Sequence, residues 1–189
     1  MNYLQGLEIN ILNAIQTLRT PQLDDAMITV TSLGNGDIFW ISLLVVFFTS
    51  KAYKKIAEII TISFILNLIV VNILLKISVG RVRPYEAVGF TNLLIGHLSD
   101  NSFPSGHTSY AFSFVTALII LGKSKFLSWY MGIIAILIAF SRLYLYVHYP
   151  SDVLVGGIIG IILTKLAIKI YQSNVYNKFK RNIIYKAKK

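Results

Sequence analysis

Four apolar runs decide what this chain can be: Ile56–Leu75, Ser105–Leu121, Leu127–Val147 and Val153–Ile170. About 20 residues, each rising 1.5 Å, cross the roughly 30 Å of hydrocarbon in a bilayer, and these runs meet or approach that length. In lipid every backbone N–H and C=O must be satisfied within the segment, so the runs are expected to be helices. A fifth run, Ile38–Thr49, is short. It is expected to complete a crossing by starting within or before Gly34-Asn35-Gly36, which reads as a kink or turn. Residues 22–34 read either as a helix packed on the bundle or as the first part of that span. Leu4, Leu7, Ile11, Ile15 and Leu18 recur at helical spacing with polar residues between them, the pattern of an amphipathic helix lying at the interface. Residues 1–21 also carry Asn2, Glu8, Asn10 and Asn13, and lack the apolar stretch of a signal peptide. The expectation is an all-α integral membrane bundle of five to six spans, divided into an N-terminal interfacial helix (1–21), a membrane domain (22–171) and a basic tail (172–189).

Charge sets the direction of the bundle. Only 14% of the residues are charged, against roughly 25% in soluble domains, and the mean hydropathy is +0.65. The net charge is +10, but six of the 18 basic residues lie between Lys178 and Lys189. A basic tail beside a span reads as an anchor on anionic lipid rather than a nucleic-acid site. Lys51, Lys54 and Lys55 follow the short run, and Lys123 and Lys125 separate the next antiparallel pair. If these loops and the tail share one face, that face is cytoplasmic. Alternation then puts residues 76–104 and 146–152 outside, and with five spans the N-terminus as well.

The outer face defined in this way collects an unusual set. Lys76, Arg81 and Arg83 close one run, and Ser105, Gly106 and His107 open the next. Ser141, Arg142, His148 and Asp152 straddle the last connection. Each has an ordinary reading alone: snorkelling anchors, an N-cap at Ser105, a local His–Asp hydrogen bond. Together they are an anion site beside a nucleophile. Arginine forks bind phosphate oxygens bidentately, and the N–H groups of a helix N-terminus bind the rest. Gly106, without a side chain, lets backbone approach closely. Asn67 and Asn72 read as interhelical hydrogen-bonding residues, and Gly156 and Gly160 as a close helix contact. His97, in the long loop, is not expected at the site. With no cysteine and no carboxylate cluster among these residues, neither a metal nor another cofactor is expected.

The segments KISVGRVRP, PSGH and SRLYLYVHYPSD resemble the three signature motifs of the type 2 phosphatidic acid phosphatase (PAP2) superfamily over about residues 22–171. The resemblance implies a helical core related to vanadium haloperoxidases and metal-independent hydrolysis of phosphate esters or anhydrides. It implies that His148 is a nucleophile forming a phosphohistidine, that Asp152 orients it, and that His107 is the general acid and then the base for water. It implies that Lys76, Arg83, Ser105, Gly106 and Arg142 hold the phosphate. Arg81 lies outside the pattern, and Ser141 either bonds a phosphate oxygen or caps its own helix. Small members of the family dephosphorylate undecaprenyl diphosphate or phosphatidylglycerophosphate, so the expected partners are a lipid phosphate and the surrounding membrane lipid. A phosphotransferase built on the same phosphohistidine, and a non-catalytic membrane protein, are the alternatives.

Overall fold

The computed structural model describes residues 3–34, 38–122, 124–174 and 176–178. Asn35, Gly36, Lys123 and all of the basic tail beyond Lys178 lie outside them. Among the described residues every regular element is helical. In chain order these are α1 (Tyr3–Gln16), α2 (Pro21–Gly34), α3 (Ile38–Thr49), α4 (Lys54–Asn67), a π-helical segment (Leu68–Leu75), α5 (Lys76–Val79), α6 (Pro84–Ala87), α7 (Gly106–Leu121), α8 (Lys125–Tyr144) and α9 (Pro150–Gln172).

Among the described residues three helical units are long and apolar enough to cross a membrane: the one that starts at Lys54, then α8 and α9. A fourth is added if α2 and α3, bent by 51°, form one span. α7 has 16 residues, a rise of only about 24 Å. Five to six spans were expected. Length and composition support three or four, with α7 as a shorter apolar helix in the middle. α7 packs on α9, α8 and α4, and its Phe114 meets Trp40 and Phe47 of α3 at ring-centroid distances of 5.1 and 5.6 Å. Side chains such as Val46, Ile65, Ile133, Ile136 and Ile162 face outward and are exposed, as a lipid-facing belt requires.

Two local devices bring the chain ends of these helices into register. From Asn67 to Lys76 is nine residues. In α-helical geometry that is about 900°, so the two side chains would face opposite ways. The i→i+5 winding of the π segment spends about two full turns on the same stretch, and both residues come out buried. Gly80 then ends the helix with φ +60°, its N–H bonding the Lys76 carbonyl. A left-handed residue at a helix end is glycine's usual place. At the other junction, Pro150 supplies the fixed φ of the first position of α9.

α9 and α7 approach closely. A Cβ at Gly156 would lie 2.5 Å from the Ser105 carbonyl oxygen, and one at Gly160 would lie 2.3 Å from that of Ser109. The close contact expected of this pair is therefore present. Asn67 also joins helices: its Nδ2 donates to Ser113 Oγ at 2.9 Å, and its Oδ1 accepts from Ser109. Asn72 donates to Tyr110 Oη at 3.4 Å.

α1 does not stand apart from the bundle. Ile9 and Leu12 are buried in a second apolar cluster with Tyr85, Leu145, Tyr146, Val147 and Tyr149. Asn13 accepts from Tyr146 Oη at 2.8 Å, and Gln16 donates to the Tyr144 carbonyl at 2.8 Å. The stripe Leu4, Leu7, Ile11 and Leu18 stays exposed. α1 thus uses one face to cap the bundle end and leaves the other apolar.

Candidate active site

The end of the bundle under α1 gathers the C-terminal end of the π segment, the start of α7, the end of α8 and the start of α9. Lys76, Ser105, Gly106, His107, Arg142 and Asp152 come from these positions or lie next to them, Arg83 from the loop just before α6, and His148 from the short connection between α8 and α9. The cations differ in their partners. Asp100, in the loop before α7, takes Lys76 Nζ on one oxygen and Arg83 Nη2 on the other at 2.5 Å. Arg83 also donates through Nε to the Asp100 carbonyl and through Nη1 to the Val147 carbonyl, at 2.8 and 2.7 Å. Burial alone would raise the Asp100 carboxyl, but the hydrogen bond and charge of Lys76, and then Arg83, outweigh it and hold it at about 2. Arg142 is different. It donates to Thr31 Oγ1 at 2.6 Å, has no ion-pair partner among the described residues, and its buried Nε has no hydrogen-bond partner. A buried guanidinium with spare donors is costly unless an anion completes it.

His148 is buried between two polarities. Its Nδ1 faces Asp152 Oδ2 and Ser102 Oγ, each at 3.5 Å, and its Nε2 lies 3.4 Å from Arg83 Nη1. The carboxylate thus orients the ring so that Nε2 points toward the cations. Burial, then the charges of Arg142, Arg83 and Lys76, push the imidazole pKa well below its ordinary value, so the ring is neutral at neutral pH. Asp152 is itself fixed. Its Oδ2 accepts from Ser102 Oγ at 2.5 Å and from the Tyr149 N–H at 2.9 Å, while Oδ1 accepts from Arg81 at 2.6 Å.

α7 opens on Ser105, whose hydroxyl is the N-cap, accepting from Thr108 N–H and pairing with Thr108 Oγ1 at 2.9 Å. Its N–H bonds the Asp152 carbonyl at 3.0 Å, which ties α7 to α9. Gly106 and His107 follow, and both line a cavity of about 510 Å³. Lys76 and Asp100 line the polar end of this cavity, and Leu44, Phe64, Ile65, Leu68 and Tyr110 line its apolar wall. Gly34 makes room for the His107 ring: a Cβ there would sit 2.6 Å from Cδ2. Ser141 donates to the Ile138 carbonyl at 2.7 Å, a bond back within its own helix. His97 packs edge-on to Tyr85, away from this cavity.

Sequence reading did not single out Asp100, Ser102 or Thr31, and it left Arg81 as an accessory charge. Asp100 and Ser102 stand five and three residues before Ser105, in the same irregular loop. A polar run leading into a helix N-terminus was the one available signal.

A membrane-embedded helical bundle with converging cations and a buried His–Asp pair at one end is built as a membrane lipid phosphatase, a hydrolase. The family model of the PAP2 superfamily matches residues 56–176, and the chain belongs to that superfamily. It is 28% identical over 177 residues to the undecaprenyl-diphosphatase of Sulfolobus acidocaldarius, covering 93% of this chain and 84% of that protein. It is 32% identical to phosphatidylglycerophosphatase B of Bacillus subtilis, covering 86% of this chain and 82% of the relative. The crystal structure of Aquifex aeolicus LpxE superposes with a TM-score of 0.77 at 31% identity, covering 86% of this chain and 95% of that one.

Proposed function

We propose that this phosphatase hydrolyses a phosphate monoester or diphosphate of a membrane lipid, of the undecaprenyl diphosphate or phosphatidylglycerophosphate type, through a phosphohistidine on His148. The observation that carries the reading is the two-sided cavity. One end is Lys76, Gly106 and His107, and the wall is apolar helix surface. Such a cleft suits a phosphate that is attached to a long apolar tail. A soluble phosphate ester would gain nothing from the apolar wall.

In the first step His148 Nε2 attacks phosphorus and the bond to the leaving oxygen breaks, with His107 donating the proton. In the second step water attacks phosphorus, His107 takes its proton, and the P–N bond breaks to release inorganic phosphate. Asp152 stabilises the charge that grows on the His148 ring. Lys76, Arg83, Arg142 and the first N–H groups of α7 stabilise the equatorial oxygens. Ser105 contributes mainly by capping that helix end.

The site is assigned to the extracytoplasmic face. Lys51, Lys54, Lys55 and Lys125 lie at the opposite ends of the helices from the site, and the positive-inside rule makes their end cytoplasmic. Residues 1–21 are then an interfacial helix on the outside, 22–171 the phosphatase domain, and 172–189 a cytoplasmic basic tail.

The test is phosphate release by the purified protein in detergent from a panel of lipid phosphates and diphosphates. Release from at least one long-chain lipid, abolished in His148→Ala, is expected. Release that survives His148→Ala, or release only from water-soluble esters, would overturn the proposal.

A further inference from the structure

We infer that Arg81 is a positioning residue for the His148–Asp152 pair, and that through Arg81 the N-terminal helix contributes Glu8 to the tuning of that pair. The inference rests on the reading of His148 as the nucleophile, and it concerns two residues which that reading leaves unused.

Asp152 is fully buried and divides its oxygens. Oδ2 serves the histidine side, with Ser102 and the Tyr149 N–H. Oδ1 accepts from Arg81 at 2.6 Å. The Arg81 guanidinium carbon sits over the Tyr149 ring, 3.8 Å from its centroid, and the nitrogen that bonds Asp152 also reaches Ser151 Oγ at 2.7 Å. Its other terminal nitrogen pairs with Glu8 Oε2 of α1. The second Glu8 oxygen accepts the Ser151 N–H at 2.9 Å, in the first turn of α9. Arg81 also holds the loop that carries Ser102, since its carbonyl accepts the Ser102 N–H at 2.8 Å. One guanidinium therefore stands between two carboxylates, and one of those carboxylates is the partner of His148. All three side chains are largely or wholly buried, where charges are poorly screened.

The consequence has a sign. The positive charge of Arg81 draws on Asp152 and weakens its hold on the imidazole proton. Glu8 offsets Arg81 and restores that hold. The other groups facing His148 stay as they are: Lys76 at the end of the π segment, Arg83 before α6, Asp100 and Ser102 in the loop, His107 on α7 and Arg142 on α8. A mere staple between α1 and the bundle would show no such sign. Removing either half of a staple loosens the same contact.

The test uses the full chain in detergent with one short-chain phosphatidic acid as substrate, measuring kcat and KM from about pH 4.5 to 8. Glu8→Gln should move the acid limb of kcat/KM to lower pH, and Arg81→Gln should move it to higher pH, each by roughly 0.5–1 unit. Arg81→Gln should also lower kcat about 10–100-fold, as loss of an orienting partner does, with KM unchanged. Arg81→Lys should return the limb toward its original place. Limbs that stand still, or that move the same way in both variants, overturn the inference. So does a rise in KM as the main effect. If Arg81→Gln does not fold, Glu8→Gln decides alone, by a downward shift or its absence. His148→Ala keeps the two levels apart: turnover without His148 sinks the mechanism and the inference together. An inactive His148→Ala with unmoved limbs sinks only the coupling.

Discussion

The two histidines of the site differ in what surrounds them, and this predicts different failures when each is lost. His148 is buried against Asp152 and Arg83, while His107 lines the open cavity. In the proposed mechanism His148→Ala removes the attacking nitrogen, and it should abolish turnover on every substrate. His107→Ala should depend on the leaving group. An alkyl alcohol needs a proton as it departs, and general acid catalysis typically supplies about 10²–10⁴-fold. p-Nitrophenolate needs little, so part of the rate should return with p-nitrophenyl phosphate. With that substrate His107→Ala should accumulate a phosphoenzyme, trapped at alkaline pH, because the second step lacks its base. A phosphoenzyme in His148→Ala and none in His107→Ala would mean that the roles are exchanged. Acid should act on the pair before it acts on the phosphate cations. The depressed His148 pKa means that the unfolded chain binds that proton more readily than the folded one. Its contribution to stability is therefore complete above the ordinary histidine range and is lost as pH falls through the folded value. Asp100, held at about 2, keeps its charge through that window. Thermal unfolding measured from neutral pH downward should thus weaken before the Lys76–Asp100–Arg83 group is touched. A midpoint that holds steady until pH approaches the Asp100 value would contradict this.

At the scale of the helices, the site depends on how closely α9 lies on α7. Gly156 touches the Ser105 backbone at the cap of α7, and Ser105 N–H bonds the Asp152 carbonyl of α9. An added methyl at Gly156 meets backbone at 2.5 Å, which cannot move aside. The neighbouring Gly157 is different: a Cβ there meets the Phe112 ring at 3.6 Å, an ordinary contact. Gly156→Ala should therefore cost about 1–3 kcal/mol, as overpacking does, and most of the activity. Gly157→Ala should cost little of either. Thermal unfolding in detergent and the phosphate-release assay check both, and equal effects of the two substitutions would refute the argument. The same contact shows what a sequence can and cannot disclose. The Gly156-xxx-Gly160 spacing announces close packing because only small side chains permit it. The cations and histidines were legible because charge at a span end is rare. The π segment was not, since Leu68–Leu75 is apolar apart from Asn72 and carries no mark of its winding. Asp100 and Ser102 were hidden for another reason. Their roles depend on where a loop folds back, and a loop has no periodicity from which to read it. α1 was legible as an amphipathic helix, but the apolar stripe that revealed it is the face left exposed. Ile9 and Leu12, which do the docking, fall outside that stripe.

For the whole molecule the question is which side of the membrane sees the substrate. The site, α1 and the apolar cluster around Tyr146 lie at one end of the bundle, and Lys51, Lys54, Lys55 and Lys125 lie at the other. In the proposed orientation the positive-inside bias leaves the site outside, where a lipid of the outer leaflet would place its headgroup among the cations with its tail along Leu44, Ile65 and Leu68. Labelling can decide this without background, because the chain has no cysteine. Gly89 would be a poor reporter of the outer loop, since its φ of +65° strains any side chain placed there. Gly96, in the same loop, has open space around it and no such constraint. Gly96→Cys should react with a membrane-impermeant maleimide in intact cells. Lys51→Cys, exposed at the other end, should react only after the membrane is permeabilised. A cysteine at Tyr3, exposed on α1, should follow Gly96, because α1 docks on the site end and cannot reach the far face. Labelling of Lys51→Cys alone in intact cells would invert the molecule and place the reaction in the cytoplasmic leaflet. Labelling of Gly96→Cys without Tyr3→Cys would instead detach α1 from the site, and Glu8 could not then reach Arg81.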